Sequence, residues 1–380
     1  MKHPFQLLRT NRQCKLLFAA VQNHILVYNT SSGKVIGHWF DDQQSTHRNH
    51  QLERRTGKQI SSKVQIYNHI KCLSLTESHL VASTDSDKSV LVFTLDYESD
   101  NILTLSKRQP MPKRPYAITT YDGVAIVADK FGDAYTVAID SNPPVAEKDL
   151  VPILGHVSML TDVVVGVHND KPFLITSDRD EHIRVSNYPK AYAIKSFLQG
   201  HEEFVSQLCL VGDLLVSGGG DDYLFVWNWY TGELLSKFDL KGVVSPFLNE
   251  AHFPPEKYRS EDSPKEISVA KIEYVEYENE KYFVVLVERT SCLIVLAYKD
   301  NTLIVHQVIL LNEDCVTFTV GNGSIYVSLE SEAVLQRLNF LNGTSQELLI
   351  DTNSIPIDVK AKSEYAEMFP VTTLRKRSEY

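Results

Sequence analysis

Residues Gly200–Asp239 read GHEEFVSQLCLVGDLLVSGGGDDYLFVWNWYTGELLSKFD. After the opening Gly-His pair come four runs rich in apolar and β-branched residues: Phe204–Leu210, Asp213–Ser217, Tyr223–Trp229 and Glu233–Asp239. Turn-forming residues separate these runs, most clearly at Gly218–Asp222 and at Thr231-Gly232. The pattern predicts four short antiparallel strands in one sheet. Because one such sheet cannot bury both of its faces alone, we expect it to pack against similar units.

Similar units recur along the chain. The Gly-His opening and the Trp-Asn ending resemble one blade of a WD-repeat β-propeller. A second Gly-His pair begins at Gly155, 45 residues before Gly200, and this spacing is typical of a propeller. Comparable runs occur at about 15–40, 66–107, 114–154 and 267–350. We therefore predict an all-β fold, a single seven-bladed WD-repeat propeller domain spanning 1–380, with residues 3–10 completing the last blade.

Three stretches depart from the repeat. Residues 41–63 have almost no apolar content, and residues 241–265 carry four prolines among charged side chains. Residues 352–380 include the basic tip Leu374–Arg377. We predict a polar insertion, a Pro-rich surface excursion and a C-terminal tail with a frayed tip, in that order.

Composition limits the class of protein. The formal net charge of −10 means that any nucleic-acid contact needs a local basic patch. The five cysteines are far apart, without zinc or disulfide spacing. The N-terminal apolar run Leu16–Val21 is too short for a secretion signal, and no stretch approaches the ~18 apolar residues of a membrane helix. We expect a soluble intracellular protein without a membrane contact or a metal site.

The two Gly-His histidines could be metal ligands or catalytic bases, but the WD pattern gives them a structural role. In that pattern the histidine bonds a carboxylate on the turn before the third strand, and a Ser or Thr and a Trp complete the network. A buried imidazole can satisfy both nitrogens in this way. The residues so assigned are His201, Asp221, Ser217 and Trp227 in blade five, and His156, Asp180 and Thr176 in blade four.

The sequence shows no specific signal for catalysis. Gly218–Gly220 looks like a phosphate-binding loop, but a strand follows it where such a loop requires a helix N-terminus. No nucleophile, paired-cysteine or zinc-protease motif is present, so we expect no catalytic residue and no cofactor bound by this chain. A propeller of this kind is most often a platform for interactions.

Four stretches are more specific than the WD pattern: Ser83–Ser89, Ala128–Asp133, Leu154–Val163 and Thr176–Arg184. They resemble the non-catalytic WD-repeat subunit of the eukaryotic tRNA (guanine-7)-methyltransferase in its fungal form. The resemblance implies a heterodimer in which a separate subunit binds S-adenosylmethionine and methylates a guanine in the tRNA variable loop. This chain would stabilise that subunit and help position tRNA, in the nucleus or also in the cytoplasm. The alternatives are a general WD-repeat scaffold, such as a ubiquitin-ligase substrate adaptor, and a propeller enzyme.

Two surfaces are candidate contacts. The segment Lys107–Pro115 carries Lys107, Arg108, Lys113 and Arg114 among prolines, and it could hold a phosphate backbone or be an ordinary solvated loop. The second surface lies on blades three and four and is centred on Arg184. We expect Arg184 to point outward and pair with a partner carboxylate, because it alternates with the apolar Ile183 and Val185. The other residues assigned to this partner surface are Lys130, Asp178, Arg179, Glu181 and His182.

Overall fold

The computed structural model describes residues 1–43, 68–346, 350, 354–366 and 368–377. Within these ranges, seven four-stranded antiparallel sheets surround a central channel, which confirms the predicted seven-bladed propeller. Each blade uses consecutive strands of the chain, and its first strand lines the channel. The fold is therefore a ring of sheets stacked face to face.

The strand boundaries follow the apolar runs of the sequence. Blades one to four contain β1 (Leu7–Thr10), β2 (Leu16–Val21), β3 (His24–Asn29), β4 (Val35–Phe40), β5 (Ile70–Leu75), β6 (His79–Thr84), β7 (Ser89–Leu95), β8 (Leu103–Pro110), β9 (Pro115–Tyr121), β10 (Val124–Asp129), β11 (Asp133–Ala138), β12 (Leu154–Gly155), β13 (Leu160–His168), β14 (Lys171–Asp178), β15 (Ile183–Asn187) and β16 (Ile194–Leu198). Blades five to seven contain β17 (Val205–Val211), β18 (Leu214–Gly219), β19 (Tyr223–Asn228), β20 (Glu233–Asp239), β21 (Val269–Tyr277), β22 (Glu280–Val287), β23 (Cys292–Lys299), β24 (Thr302–Leu310), β25 (Cys315–Gly321), β26 (Ser324–Leu329), β27 (Leu335–Asn339) and β28 (Ser345–Gln346).

The apolar core is divided among the contacts between neighbouring blades. Between blades four and five, for example, Ile175 and Val185 pack in one cluster with Leu215, Phe225 and Trp227. Both faces of an inner strand are covered, so all six residues of β2 are buried. Burial on two faces explains why such strands read as continuous apolar runs instead of alternating ones.

The prediction that residues 3–10 complete the last blade is wrong, because the ring closes in another way. β1 pairs with β2 in blade one, and β28 is the outer strand of blade seven. Across the seam, Phe5 and Leu8 pack in one cluster with Tyr326 of blade seven. The His3 amide donates to the Ile357 carbonyl at 3.0 Å. Side-chain packing and the C-terminal segment thus join blades seven and one.

The predicted departures from the repeat have separate outcomes. Residues 44–63 of the polar insertion lie outside the described residues, while Asp41 at its start is buried. The stretch 241–265 joins β20 to β21 through the short helix α1 (Leu240–Val244) and three 3-10 turns, at Ser245–Phe247, Glu250–His252 and Glu256–Tyr258. The prediction that the C-terminal tip is frayed is wrong, because Arg375 is buried and donates a hydrogen bond to the Gly220 carbonyl of blade five.

Candidate partner interface

The blade-five network links the four residues that the WD pattern assigns to it. The His201 Nδ1 lies 2.7 Å from Asp221 Oδ2, and its Nε2 lies 2.7 Å from Ser217 Oγ. Ser217 Oγ also accepts from Trp227 Nε1 at 2.9 Å. Because a carboxylate can only accept, His201 donates to Asp221 and accepts from Ser217. Every polar atom in this buried set has a partner, so the set supports the blade instead of forming an active site.

In blade four the assignment of Asp180 to the network is wrong, because Asp178 takes that position. The His156 Nδ1 donates to Asp178 Oδ2 at 2.9 Å, and His156 Nε2 lies 2.9 Å from Thr176 Oγ1. Asp178 and Thr176 are two residues apart on β14, so their side chains share one face. Asp180 lies in the following turn and accepts from Ser158 Oγ at 2.6 Å.

Asp178 therefore acts within the blade, although it was also assigned to the partner surface. It is buried, and its Oδ1 accepts from the amides of Asp180 and His182 at 2.8 and 3.1 Å. This one carboxylate accepts hydrogen bonds from the turn between β14 and β15 and also from the His156 ring.

Blade three contains a turn of the same kind. Asp129 Oδ1 accepts from the amides of Phe131 and Asp133 at 2.7 and 3.1 Å. Asp129 is buried, and burial raises the pKa of its carboxyl group. The turn points Phe131 outward, leaving its side chain 65% exposed. The buried Asp129 carboxylate thus fixes the turn that presents Phe131 to solvent.

The turns of blades three and four are packed together through Gly132. A Cβ atom on Gly132 would lie 2.4 Å from the His156 carbonyl oxygen and 2.7 Å from that of Ser158. Its φ of +99° is also a conformation that glycine adopts most easily. The Gly132 carbonyl accepts from the His156 amide at 2.8 Å. Phe131 and the fully exposed Val157 are the chain neighbours of the two residues that make this hydrogen bond.

A shallow depression lies beside Val157. It has a volume of about 210 Å³ and is lined by Val157, His182 and Phe197, with Arg184 among the other lining residues. We define the three-four rim as the exposed side chains that line this depression, Val157, His182 and Phe197, together with those of the turns that follow β10 and β14, Lys130, Phe131 and Glu181. Its mixture of exposed apolar and charged groups is typical of a protein interface.

The prediction that Arg184 points outward is wrong. Arg184 is 6% exposed, and its guanidinium donates to Ser186 Oγ, the Gly155 carbonyl and the Ala191 carbonyl at 2.8, 3.0 and 2.8 Å. Both faces of a blade pack against neighbours, so alternation with Ile183 does not bring a side chain to the surface. Through Gly155, Arg184 supports the strand end that precedes His156 and Val157.

The other residues assigned to the partner surface have mixed positions. Lys130, Glu181 and His182 are exposed, and Lys130 Nζ lies 5.7 Å from the Tyr116 ring centroid. Arg179 is half-buried and donates from Nε to the Leu374 carbonyl at 2.6 Å. Three of the six therefore lie on the exposed rim, whereas Asp178 and Arg184 lie beneath it.

The sequence suggested that the basic segment Lys107–Pro115 is one exposed loop, and this prediction is wrong. Residues up to Pro110 belong to β8, so Lys107 is buried and donates to the Ser141 carbonyl at 2.9 Å. Arg108 is paired with Asp41 at 2.7 Å and also with Asp87. Lys113 is exposed, with Nζ 4.5 Å from the Phe131 ring centroid, and Arg114 lies 3.7 Å from Asp85. Lys107 and Arg108 are thus removed as candidate phosphate contacts.

Sequence reasoning missed Phe131, Val157 and Phe197 as surface residues, since apolar side chains in a β-rich chain are expected in the core. The sequence did indicate Phe131 and Val157, because each lies within a short turn motif. Phe131 is part of ADKFGD, and Val157 is part of LGHVS. Among the described residues, no group of three or more His, Cys, Asp or Glu side chains could hold a metal ion. In the same ranges, no helix has the length and apolar character needed to cross a membrane.

Comparison with known folds agrees with the architecture. The chain superposes on a solved structure described as U3-55K with a TM-score of 0.59 and 12% identity, covering 87% of this chain and 89% of the other. A chain of a mitotic checkpoint complex gives a TM-score of 0.59 at 14% identity, with coverage of 85% and 86%. At these identities the likeness concerns the fold alone.

Comparison with known sequences is more specific. Residues 17–152 and 140–347 match the family model described as the tRNA methyltransferase TRM82 WD40 domain. Two proteins named tRNA (guanine-N(7)-)-methyltransferase non-catalytic subunit TRM82, from Debaryomyces hansenii and Meyerozyma guilliermondii, are 40% and 39% identical to this chain over the full length of both chains. The chain therefore belongs to the TRM82 family of non-catalytic tRNA (guanine-N(7)-)-methyltransferase subunits.

Proposed function

We propose that this chain forms a heterodimer with an S-adenosylmethionine-dependent catalytic subunit and stabilises it in its active form. The observation that carries the proposal is the three-four rim, where buried Asp129, Asp178 and Gly132 hold Phe131 and Val157 in solvent. Apolar side chains on a preorganised surface lose little conformational entropy when a partner covers them. The rim would supply the contact, and the partner would supply the chemistry.

The reconstituted pair tests this proposal. The two chains, expressed together, should co-purify in equal amounts and form 7-methylguanosine in tRNA, while either chain alone should be inactive or much less active. Calorimetry should detect no saturable binding of S-adenosylmethionine to this chain alone. In a pull-down of this chain from cells, recovery of ubiquitin-ligase components in place of a methyltransferase would favour the adaptor alternative and overturn the proposal.

We also propose that Lys113 and Arg114 help position tRNA in the assembled complex. With Lys130, and with Lys88 3.2 Å from the Pro112 carbonyl, they place four cations near one another on blades two and three. The nearby carboxylates offset part of this charge, since Arg114 lies 3.7 Å from Asp85. A local basic patch of this kind can hold phosphates on a chain whose net charge is −10.

Replacing Lys113 and Arg114 with Ala should weaken tRNA binding by the complex and flatten its salt dependence. Each lost phosphate contact should lower the slope of log K against log salt by roughly 0.7–0.9. The measurement is a salt titration of tRNA affinity for the purified complex, after assembly has been checked. The matched control replaces exposed Lys171 and Lys190 at the opposite end of blade four. An unchanged slope in the Lys113/Arg114 variant would show that these residues do not touch phosphate.

We further propose that the complex works in the nucleus, with a cytoplasmic pool as the alternative. This proposal rests on family membership alone, since a tRNA-modifying complex works where its tRNA substrate is present. Imaging of a fluorescent fusion at native expression, with fractionation of the same cells, would test this, and an exclusively cytoplasmic signal would contradict it.

A further inference from the structure

The C-terminal tail crosses the ring instead of hanging free. It begins at the seam between blades one and seven, where the Val359 amide donates to the Met1 carbonyl at 3.0 Å. Further along, the Ala366 amide donates to His3 Nε2 at 2.9 Å. These contacts tie the tail to the N-terminal segment, which packs across the same seam.

The middle of the tail covers one mouth of the central channel. Residues Met368–Val371 line the channel, which has a volume of about 920 Å³. Lys71 of blade two places its Nζ 3.9 Å from the Phe369 ring centroid. The Thr372 amide then donates to Glu288 Oε2 of blade six at 2.8 Å. The tail therefore contacts strands and turns from opposite sides of the ring.

Arg375 anchors the far end of the tail between blades five and six. Its buried guanidinium donates to the Gly220 and Ile267 carbonyls at 2.6 and 3.0 Å and pairs with Glu203 at 2.7 Å. A guanidinium matches several fixed acceptors at once, which an ammonium group cannot do as well. The neighbouring Arg377 adds a two-point contact with Glu266 at 2.7 and 2.5 Å.

The same end of the tail contacts the turn of blade four. Arg179 donates from Nε to the Leu374 carbonyl at 2.6 Å, and Lys376 pairs with Asp180 at 2.7 Å. Asp180 in turn accepts from Ser158, next to Val157 of the three-four rim. The tail thus reaches the support of the rim without belonging to it.

We propose that the described residues of 362–377 form a strap that closes the ring and positions the blade-four turn for the partner. No strand is shared between blades seven and one among the described residues, so the strap supplies a connection across the ring that strand exchange would otherwise provide. Arg375 anchors the far end of the strap, and Lys376 is its contact with the blade-four turn. The second part of this inference rests on the proposed heterodimer, while the first part does not.

Ring closure is tested in the full-length chain by Arg375→Ala, with Arg375→Lys as the conservative variant. Loss of the anchor leaves the Gly220 and Ile267 carbonyls unpaired, so the melting temperature should fall by about 2–5 °C. Hydrogen exchange at the Thr372 amide should also become faster, and Arg375→Lys should restore part of both effects. An unchanged melting curve with unchanged exchange at Thr372 would overturn the strap.

Positioning is tested by Lys376→Glu, which replaces an attraction for Asp180 with a repulsion at a half-exposed site. The melting temperature should change little, whereas affinity for the catalytic subunit should fall roughly tenfold. Lys190→Glu, a charge reversal at an exposed position at the opposite end of blade four, is the control. Unchanged affinity in Lys376→Glu would refute positioning by the strap, whereas no binding by the unaltered chain would refute the heterodimer itself.

Discussion

Replacing Phe131 with Ala is expected to weaken assembly with the catalytic subunit by about 30-fold or more, while the propeller keeps its melting temperature. The ring is 65% exposed, so its removal leaves no cavity in the core. An aromatic anchor that becomes buried at the centre of an interface commonly contributes about 2 kcal/mol or more to binding. That free energy corresponds to about a 30-fold change in Kd.

The measurement is the Kd between purified subunits, taken beside the melting curve of each variant. Tyr192→Ala is the matched control, because Tyr192 is 71% exposed and lies on the β15–β16 loop at the opposite end of blade four. It should bind the partner as the unaltered chain does. If Phe131→Ala also bound normally, the three-four rim would not be the partner surface.

Replacing Asp178 with Ala is expected to cost roughly 2–4 kcal/mol of folding stability, because one buried donor and two partly buried donors lose their acceptor together. These donors are His156 Nδ1 and the amides of Asp180 and His182. Partner affinity should fall as well, because the turn beside Val157 would lose its shape. Urea unfolding and the subunit Kd would measure the two effects separately.

Asp180→Ala is the informative comparison for that experiment. It removes a turn carboxylate that is about one-third exposed and that bonds Ser158 and Lys376, so it should cost about 1 kcal/mol or less. The sequence interpretation, in which Asp180 holds His156, predicts the reverse order of severity. Greater instability in Asp180→Ala than in Asp178→Ala would therefore contradict the hydrogen bonds described for blade four.

Local sequence patterns were enough to predict the repeating fold. Each blade depends on short apolar runs and on turns rich in Gly, Asp and Asn, and both signals are written within about 40 residues. The blade-five network was predictable for the same reason, because His201, Ser217, Asp221 and Trp227 occupy regular positions in one repeat. The family resemblance rested on contiguous motifs, and the sequence comparisons agree with it.

The tertiary structure alone decided which polar residues are accessible. Arg184 was expected on the outer face of an alternating strand and Lys107 in an exposed basic loop, yet both side chains are buried against an adjoining blade. Asp178 instead of Asp180 bonds His156, because the side-chain direction along β14 decides which carboxylate reaches the ring. Arg375 is buried, against the usual preference of its residue type, because hydrogen bonds to Gly220 and Ile267, which are distant in sequence, hold it there. The periodicity of a sequence shows which residues share one face of a strand. Whether another blade or the tail then packs on that face is decided only when the ring closes, so the sequence alone does not show which faces are buried.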